Sequence, residues 1–151
     1  TKASMSLESN LSKLEDTESD KIKSVNNYKI LLVEDNKVNQ QVAEFMLTKL
    51  GYEFEVAENG LEAVNILSNK QDYFDLILMD CQMPEMDGYE ASRQVREGDA
   101  GKLNQTIPII ALTANAMEGD KEKCLAAGMD GYLSKPIQLA KLKNVLEEYL
   151  F

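Results

Sequence analysis

Residues 74–88, FDLILMDCQMPEMDG, hold an apolar run of four residues, Leu76-Ile77-Leu78-Met79, with charge on both sides. Four residues are too few for a stable helix, and the run lacks the polar alternation of a half-exposed strand. It reads as a strand buried on both faces, and such strands belong to parallel sheets covered by helices above and below. The run ends on Asp80 and passes into a loop containing Pro84 and Gly88. In open α/β sheets, chemistry collects beyond the carboxyl ends of the strands, which makes Asp80 a site candidate. Taken alone, an aspartate there is most often a turn or cap residue, so the rest of the chain has to decide.

Strand-like and helix-like stretches alternate around that run. Lys29 to Val33 reads as a strand ending in Glu34-Asp35, and Lys37 to Leu50 as a helix closed by Gly51. A weaker strand comes next at Glu53 to Ala57, then a helix at Leu61 to Ser68. After the central strand come a helix from Tyr89 to Glu97, a strand from Ile109 to Leu112 ending at Thr113, and a helix from Lys121 to Ala127 stopped by Gly128. Gly131 to Leu133 is a short last strand, and Leu139 to Leu150 a final amphipathic helix. Successive right-handed βα units give an α/β, flavodoxin-like (βα)5 doubly wound parallel sheet with expected strand order 2-1-3-4-5. Residues 1–27 are rich in Ser, Glu and Lys, with Leu7, Leu11 and Leu14 spaced for a short amphipathic helix. They read as a linker or signalling-helix remnant, and residues 28–151 as the folded domain.

The totals limit the functions on offer. A chain of 151 residues holds one domain with a substantial core and has no room for a second catalytic one. The net charge of −10 argues against direct binding to nucleic acid or to an anionic membrane surface. No apolar run approaches membrane-spanning length, so a cytoplasmic location is expected. Cys81 and Cys124 form no CxxC pair and read as reduced structural thiols. The chain contains no histidine, which excludes histidine catalysis, histidine metal ligation and a phosphohistidine on these residues.

In the 2-1-3-4-5 order, strands 1, 3 and 4 are neighbours, so Glu34, Asp35, Asp80 and Thr113 converge, with Lys135-Pro136 following strand 5. Clustered carboxylates repel one another unless a cation neutralises them. An all-oxygen pocket open to water suits Mg²⁺, with Mn²⁺ as a substitute. Asp35 and Asp80 are the expected direct ligands, with Glu34 acting through water. A metal beside a carboxylate, with Lys135 and the Thr113 hydroxyl opposite, suits phosphoryl transfer, whose charge spreads over three equatorial oxygens. Asp80 is then the nucleophile.

With these residues in this order, the chain from Lys29 to Leu150 resembles a response regulator receiver domain of two-component signalling. The matching motifs are LLVEDN, LILMDCQMPEMDG, IIALTAN and YLSKP. The resemblance implies that Asp80 takes a phosphoryl group from a phosphohistidine on a histidine kinase or histidine phosphotransfer domain. It implies that Asp35, Asp80 and the backbone carbonyl of Gln82 ligate Mg²⁺, that Thr113 moves toward the phosphoryl group, and that Tyr132 changes rotamer in step. It further implies a cis Lys135-Pro136 bond and a role for Gln82 and Asn115 at the pocket entrance in setting the acyl-phosphate lifetime. A receiver of this kind catalyses its own phosphorylation and dephosphorylation and is no histidine kinase by itself.

VEDNKVNQQVAEFML and ALTANAMEGDKEKCLAAGMDGYLSKP look most like receivers attached to hybrid sensor histidine kinases. On the first helix, Val42, Ala43, Met46, Leu47 and Leu50 fall on one side, while Val38 and Phe45 fall together well away from it. Exposed apolar residues beside the site mouth suit docking of a four-helix phosphotransfer domain, unless Leu7, Leu11 and Leu14 fold back over them. Three other classes fit less well. A metal-dependent aspartyl phosphatase usually needs an acid where Gln82 stands, and a flavin module needs a phosphate cradle where Glu34-Asp35-Asn36 would repel one. A pseudo-receiver that only binds partners normally lacks part of the acid, Thr and Lys set, which is complete here.

Overall fold

The computed structural model describes residues 27–114 and 118–151. Apart from Asn27, the expected linker with Leu7, Leu11 and Leu14 lies outside the described residues, as does Asn115. The elements are β1 (Lys29–Val33), α1 (Lys37–Leu50), β2 (Glu53–Ala57), α2 (Gly60–Asn69), β3 (Leu76–Asp80), α3 (Gly88–Glu97), β4 (Ile109–Thr113), α4 (Glu118–Ala126), β5 (Gly131–Ser134) and α5 (Leu139–Leu150). A 3-10 turn at Lys102–Asn104 precedes β4. All five strands form one parallel sheet in the order β2-β1-β3-β4-β5, which is the expected 2-1-3-4-5.

Alternation along the central strands divides the interior into two cores. Ile30, Leu32, Leu76, Leu78, Ile110 and Leu112 meet the inner faces of α1 and α5. Leu31, Val33, Ile77, Met79, Ile109 and Ala111 lie in the other core with Leu67, Ala91, Val95 and Cys124. β3 is buried along its whole length, as the apolar run requires. Each fully buried Leu or Ile there contributes roughly 1.5–3 kcal/mol relative to an exposed one.

Helix ends follow their caps. The Asn36, Asn59 and Asp87 side chains accept from the N–H groups of Asn39, Glu62 and Glu90, which starts α2 at Gly60 and α3 at Gly88, each one residue before the expected start. Gly51 closes α1 at φ 92°, a left-handed conformation that favours glycine. α4 begins at Glu118, ahead of the expected Lys121, and ends at Ala126. Parallel pairing carries three strands further than their apolar runs: Asp80 pairs with Leu112, and Thr113 with Ser134. On α1, Ala43 and Leu47 are buried, and Val38 and Phe45 are 66% and 67% exposed, as the wheel predicts. Val42 departs from it: at 41% exposed it belongs to the outer stripe with Val38 and Phe45, and the inward position is taken by Gln40.

Candidate active site

Sheet register aligns the functional residues. Val33 pairs with Met79, so Glu34 and Asp80 each stand one residue beyond that pair. Thr113 closes β4 beside Ser134, and Lys135 comes next, its N–H donating to the Thr113 carbonyl at 2.8 Å. The Lys135-Pro136 peptide is cis, as expected. Gly88 brings the loop after β3 against the backbone of Asp80: a Cβ there would stand 2.2 Å from the Asp80 carbonyl oxygen. Only glycine permits that approach, which explains its place in the motif without any contact to phosphate.

The result is a cleft of about 200 Å³ lined by Glu34, Asp35, Asp80, Gln82 and Lys135, among others. Carboxylate oxygens of Glu34, Asp35 and Asp80 lie within 4.8 Å of one another, with Asp35 exposed and the other two buried. The Lys135 Nζ is 3.0 Å from Asp80 Oδ1 and 3.2 Å from Glu34 Oε1. The Gln82 N–H donates to Asp80 Oδ1 at 3.2 Å. Burial pushes the Asp80 carboxyl above its ordinary range; Glu34 adds to this, while Lys135 and the Gln82 N–H oppose it. Lys135 is held above its usual value even though burial acts the other way, because Asp80 and Glu34 both favour its charged form.

Three carboxylates against one ammonium leave negative charge in a partly buried cleft. Its donor set is all oxygen and one acid faces solvent, which fits a hard divalent cation that keeps part of its water shell. Glu34, Asp35 and Asp80 are the residues that could hold it. A carboxylate so placed beside a lysine can attack phosphorus, and the lysine can meet a developing phosphoryl charge.

Thr113, 6% exposed, closes β4 between Leu112 and Ala114, which both line the cleft. Tyr132 is half-buried on β5 and packs against the core beneath α2, α3 and α4. It lines a second groove, of about 400 Å³, with Lys121, Cys124, Leu125, Met129 and Val145. Cys81 and Cys124, distant in sequence, share that core with Tyr89 beside them. Burial pushes the Cys81 thiol up to about 12 and raises Cys124 as well, so both are inert packing groups, as expected. The residue missed from sequence is Gln40, whose only signal was a polar side chain on the apolar face of a helix.

The response regulator receiver domain model matches residues 30–147. Hybrid signal transduction histidine kinase B of Dictyostelium discoideum is 48% identical over 122 residues, covering 76% of this chain and 6% of that protein. Across such kinases this chain spans from 4% to 16% of the relative's length. The receiver domain of the Pseudomonas aeruginosa sensor histidine kinase PA1611, crystallised with magnesium coordinated in its active-site cleft, is 49% identical. Its TM-score is 0.73, with 82% of this chain and 97% of that one covered. The receiver domain of Saccharomyces cerevisiae Ssk1, crystallised with the histidine phosphotransfer protein Ypd1, is 36% identical with a TM-score of 0.73, covering 84% of this chain and 91% of that one.

Proposed function

Because this chain belongs to the response regulator receiver family, we propose that it is the phospho-acceptor of a phosphorelay, within a hybrid histidine kinase, and that Asp80 carries the phosphoryl group. The observation that carries this reading is the cleft in which Asp80, Glu34, Asp35 and Lys135 meet at the strand ends. An Asp80 carboxylate oxygen attacks phosphorus, the P–N bond to a donor imidazole breaks, and the imidazole leaves with its electron pair. The 151 residues contain no histidine, so the donor is supplied from outside them. Lys135, already 3.0 Å from Asp80, meets a phosphoryl oxygen as charge builds there. Asp35, Asp80 and the Gln82 carbonyl would hold Mg²⁺, with Glu34 acting through water; the ion supplies charge neutralisation to the carboxylates and the phosphoryl oxygens. Thr113 and Tyr132 form the switch that reads the new dianion. A histidine kinase of this type presents its receiver to the cytoplasm, which is where this reading places the domain.

Partner docking falls on the outer stripe of α1. Val38, Val42 and Phe45 are exposed at helical spacing, and Val42 borders a small groove shared with Lys135, Pro136 and Ile137. A four-helix phosphotransfer domain would cover this stripe while presenting its histidine to the cleft. The Ypd1 complex of the yeast receiver supports that class of partner.

Intact mass after incubation with acetyl phosphate tests the reading. A single adduct of about 80 Da that needs Mg²⁺ and is lost in Asp80→Asn is the expected result. No adduct from acetyl phosphate or from a phosphorylated phosphotransfer domain, in protein that binds Mg²⁺, would leave a pseudo-receiver. Phe45→Ala should slow transfer from the phosphotransfer domain at least tenfold while leaving acetyl phosphate labelling intact. Unchanged transfer would remove the docking stripe alone.

A further inference from the structure

The two acids that follow β1 sit on consecutive residues, so the peptide unit joining Glu34 to Asp35 sets their relative directions. The two backbone groups of Glu34 are tied to different elements, and its carbonyl is the one that belongs to that peptide. The Glu34 N–H continues the sheet, donating to the Ala57 carbonyl at 3.0 Å. The Glu34 carbonyl instead accepts from Gln40 Nε2 on α1 at 2.6 Å, a buried side chain-to-backbone bond. Gln40 is 6% exposed and shares the inner face of α1 with Ala43 and Leu47. Its backbone N–H donates to the Asn36 carbonyl at 2.9 Å, so a single residue fastens both ends of the turn that carries the acids. Within the turn the Asn36 N–H donates to Glu34 Oε2 at 3.1 Å, coupling the carboxylate to the same frame.

We infer that Gln40 is a positioning residue for the divalent-cation site: through the Glu34 carbonyl it fixes the Glu34-Asp35 peptide and so the convergence of both carboxylates on Asp80. A Met of similar length would fill the space but donate nothing. The Glu34 carbonyl would then turn toward another donor, and the peptide rotation would swing Asp35 with it. A glutamine on an apolar helix face is thereby explained by the acids rather than by the core. This inference rests on the reading of the cleft as a Mg²⁺-dependent phospho-acceptor site.

Calorimetric titration of the full chain with Mg²⁺ tests it, on wild type, Gln40→Met, Gln40→Leu and Leu47→Ala. The two Gln40 variants guard against one of them misfolding, and Leu47→Ala weakens the same helix without touching the turn. Expected is a Mg²⁺ dissociation constant raised about tenfold in both Gln40 variants, the lower end for loss of an outer hydrogen-bond partner. Leu47→Ala should stay within about twofold of wild type despite a lower Tm. Amide exchange at Asp35 and Asn36 in the metal-free protein should quicken in the Gln40 variants alone. A constant within twofold of wild type in either folded Gln40 variant, or an equal loss in Leu47→Ala, overturns the inference. Wild type that binds no Mg²⁺ overturns it together with the reading beneath it, and that outcome is separable because it appears before any variant is compared.

Discussion

α1 and α4 follow the strands on either side of β3, yet the described residues of the two helices are secured differently. α1 is capped by Asn36, stapled by Gln40 and anchored by buried Ala43 and Leu47. Among the described side chains of α4, Cys124 is the buried one. Its neighbours Lys121 and Lys123 reach out to aromatic rings, with Nζ 5.4 Å from the Tyr132 centroid and 4.4 Å from that of Tyr89. The acids need one geometry, because charges a few ångströms apart change their energies steeply with distance. A segment that has to respond to a new dianion is better held by contacts worth a few tenths to one kcal/mol. Firm anchoring on one side and weak fastening on the other suit the switch proposed for this site, ready before phosphorylation and different after it.

Deleting one anchor from each side gives the largest contrast. Leu47 is fully buried, and Leu47→Ala should cost about 2–5 kcal/mol. Cys124→Ala removes a single sulfur from a site 3% exposed and should cost about 1 kcal/mol. Urea denaturation measures both. Equal losses would mean that α4 is held as firmly as α1 and would break the comparison.

Asp80 sharpens the electrostatic half of it. Burial, and then Glu34, hold its carboxyl above the ordinary range in the folded protein, and Lys135 only partly offsets them. A folded state that binds a proton more tightly than the unfolded chain loses stability as pH rises from the ordinary carboxylate range through the raised value. Once ionised, Asp80 therefore destabilises the metal-free fold. Metal-free Asp80→Asn should melt above wild type at pH 7, with the gap closing as pH falls below the ordinary carboxylate range. Added Mg²⁺ should raise wild type more than the variant. A lower melting point for Asp80→Asn at pH 7 would mean that the Lys135 pair outweighs burial.

The sheet and the cleft were legible in the sequence because each strand announces itself twice, by an apolar run and by the polar or turn-forming residues that end it. Leu76 to Met79 has no reading other than a buried strand once helices flank it, and right-handed crossovers then order the rest. Glu34, Asp35, Asp80 and Lys135 meet because register carries them there, and register is set by those runs. Val42 was misread and Gln40 missed for one reason. A wheel weighs side chains by polarity, and on α1 a carbonyl at the strand end makes the inner position polar while the outer stripe is apolar. The closeness of Cys81 to Cys124 was equally hidden, since nothing local says that α4 packs beside the residue following β3. Thr113 was read from its place at a strand end and Tyr132 from the family resemblance, but which side chains line a cleft depends on backbone turns that polarity does not encode.

The smallest effect concerns Lys121. Its charge lies over the ring of Tyr132, a half-buried residue whose other face meets the core. Lys121→Met keeps most of the stem that packs on the groove and removes the cation, whereas Lys121→Arg keeps the charge. An exposed cation–π contact is worth about 0.5–1 kcal/mol, so Lys121→Met should lose that much stability and Lys121→Arg almost none. The measurement is a double-mutant cycle with Tyr132→Leu, in which the cost of Lys121→Met should vanish once the ring is gone. Zero coupling would mean that Tyr132 is held by the core alone, and the weak fastening of the α4 side would then rest on Cys124 and on Lys123 over Tyr89. A coupling in the expected range would make the charge at Lys121 part of what holds Tyr132 in place, and so part of what the proposed switch would have to overcome.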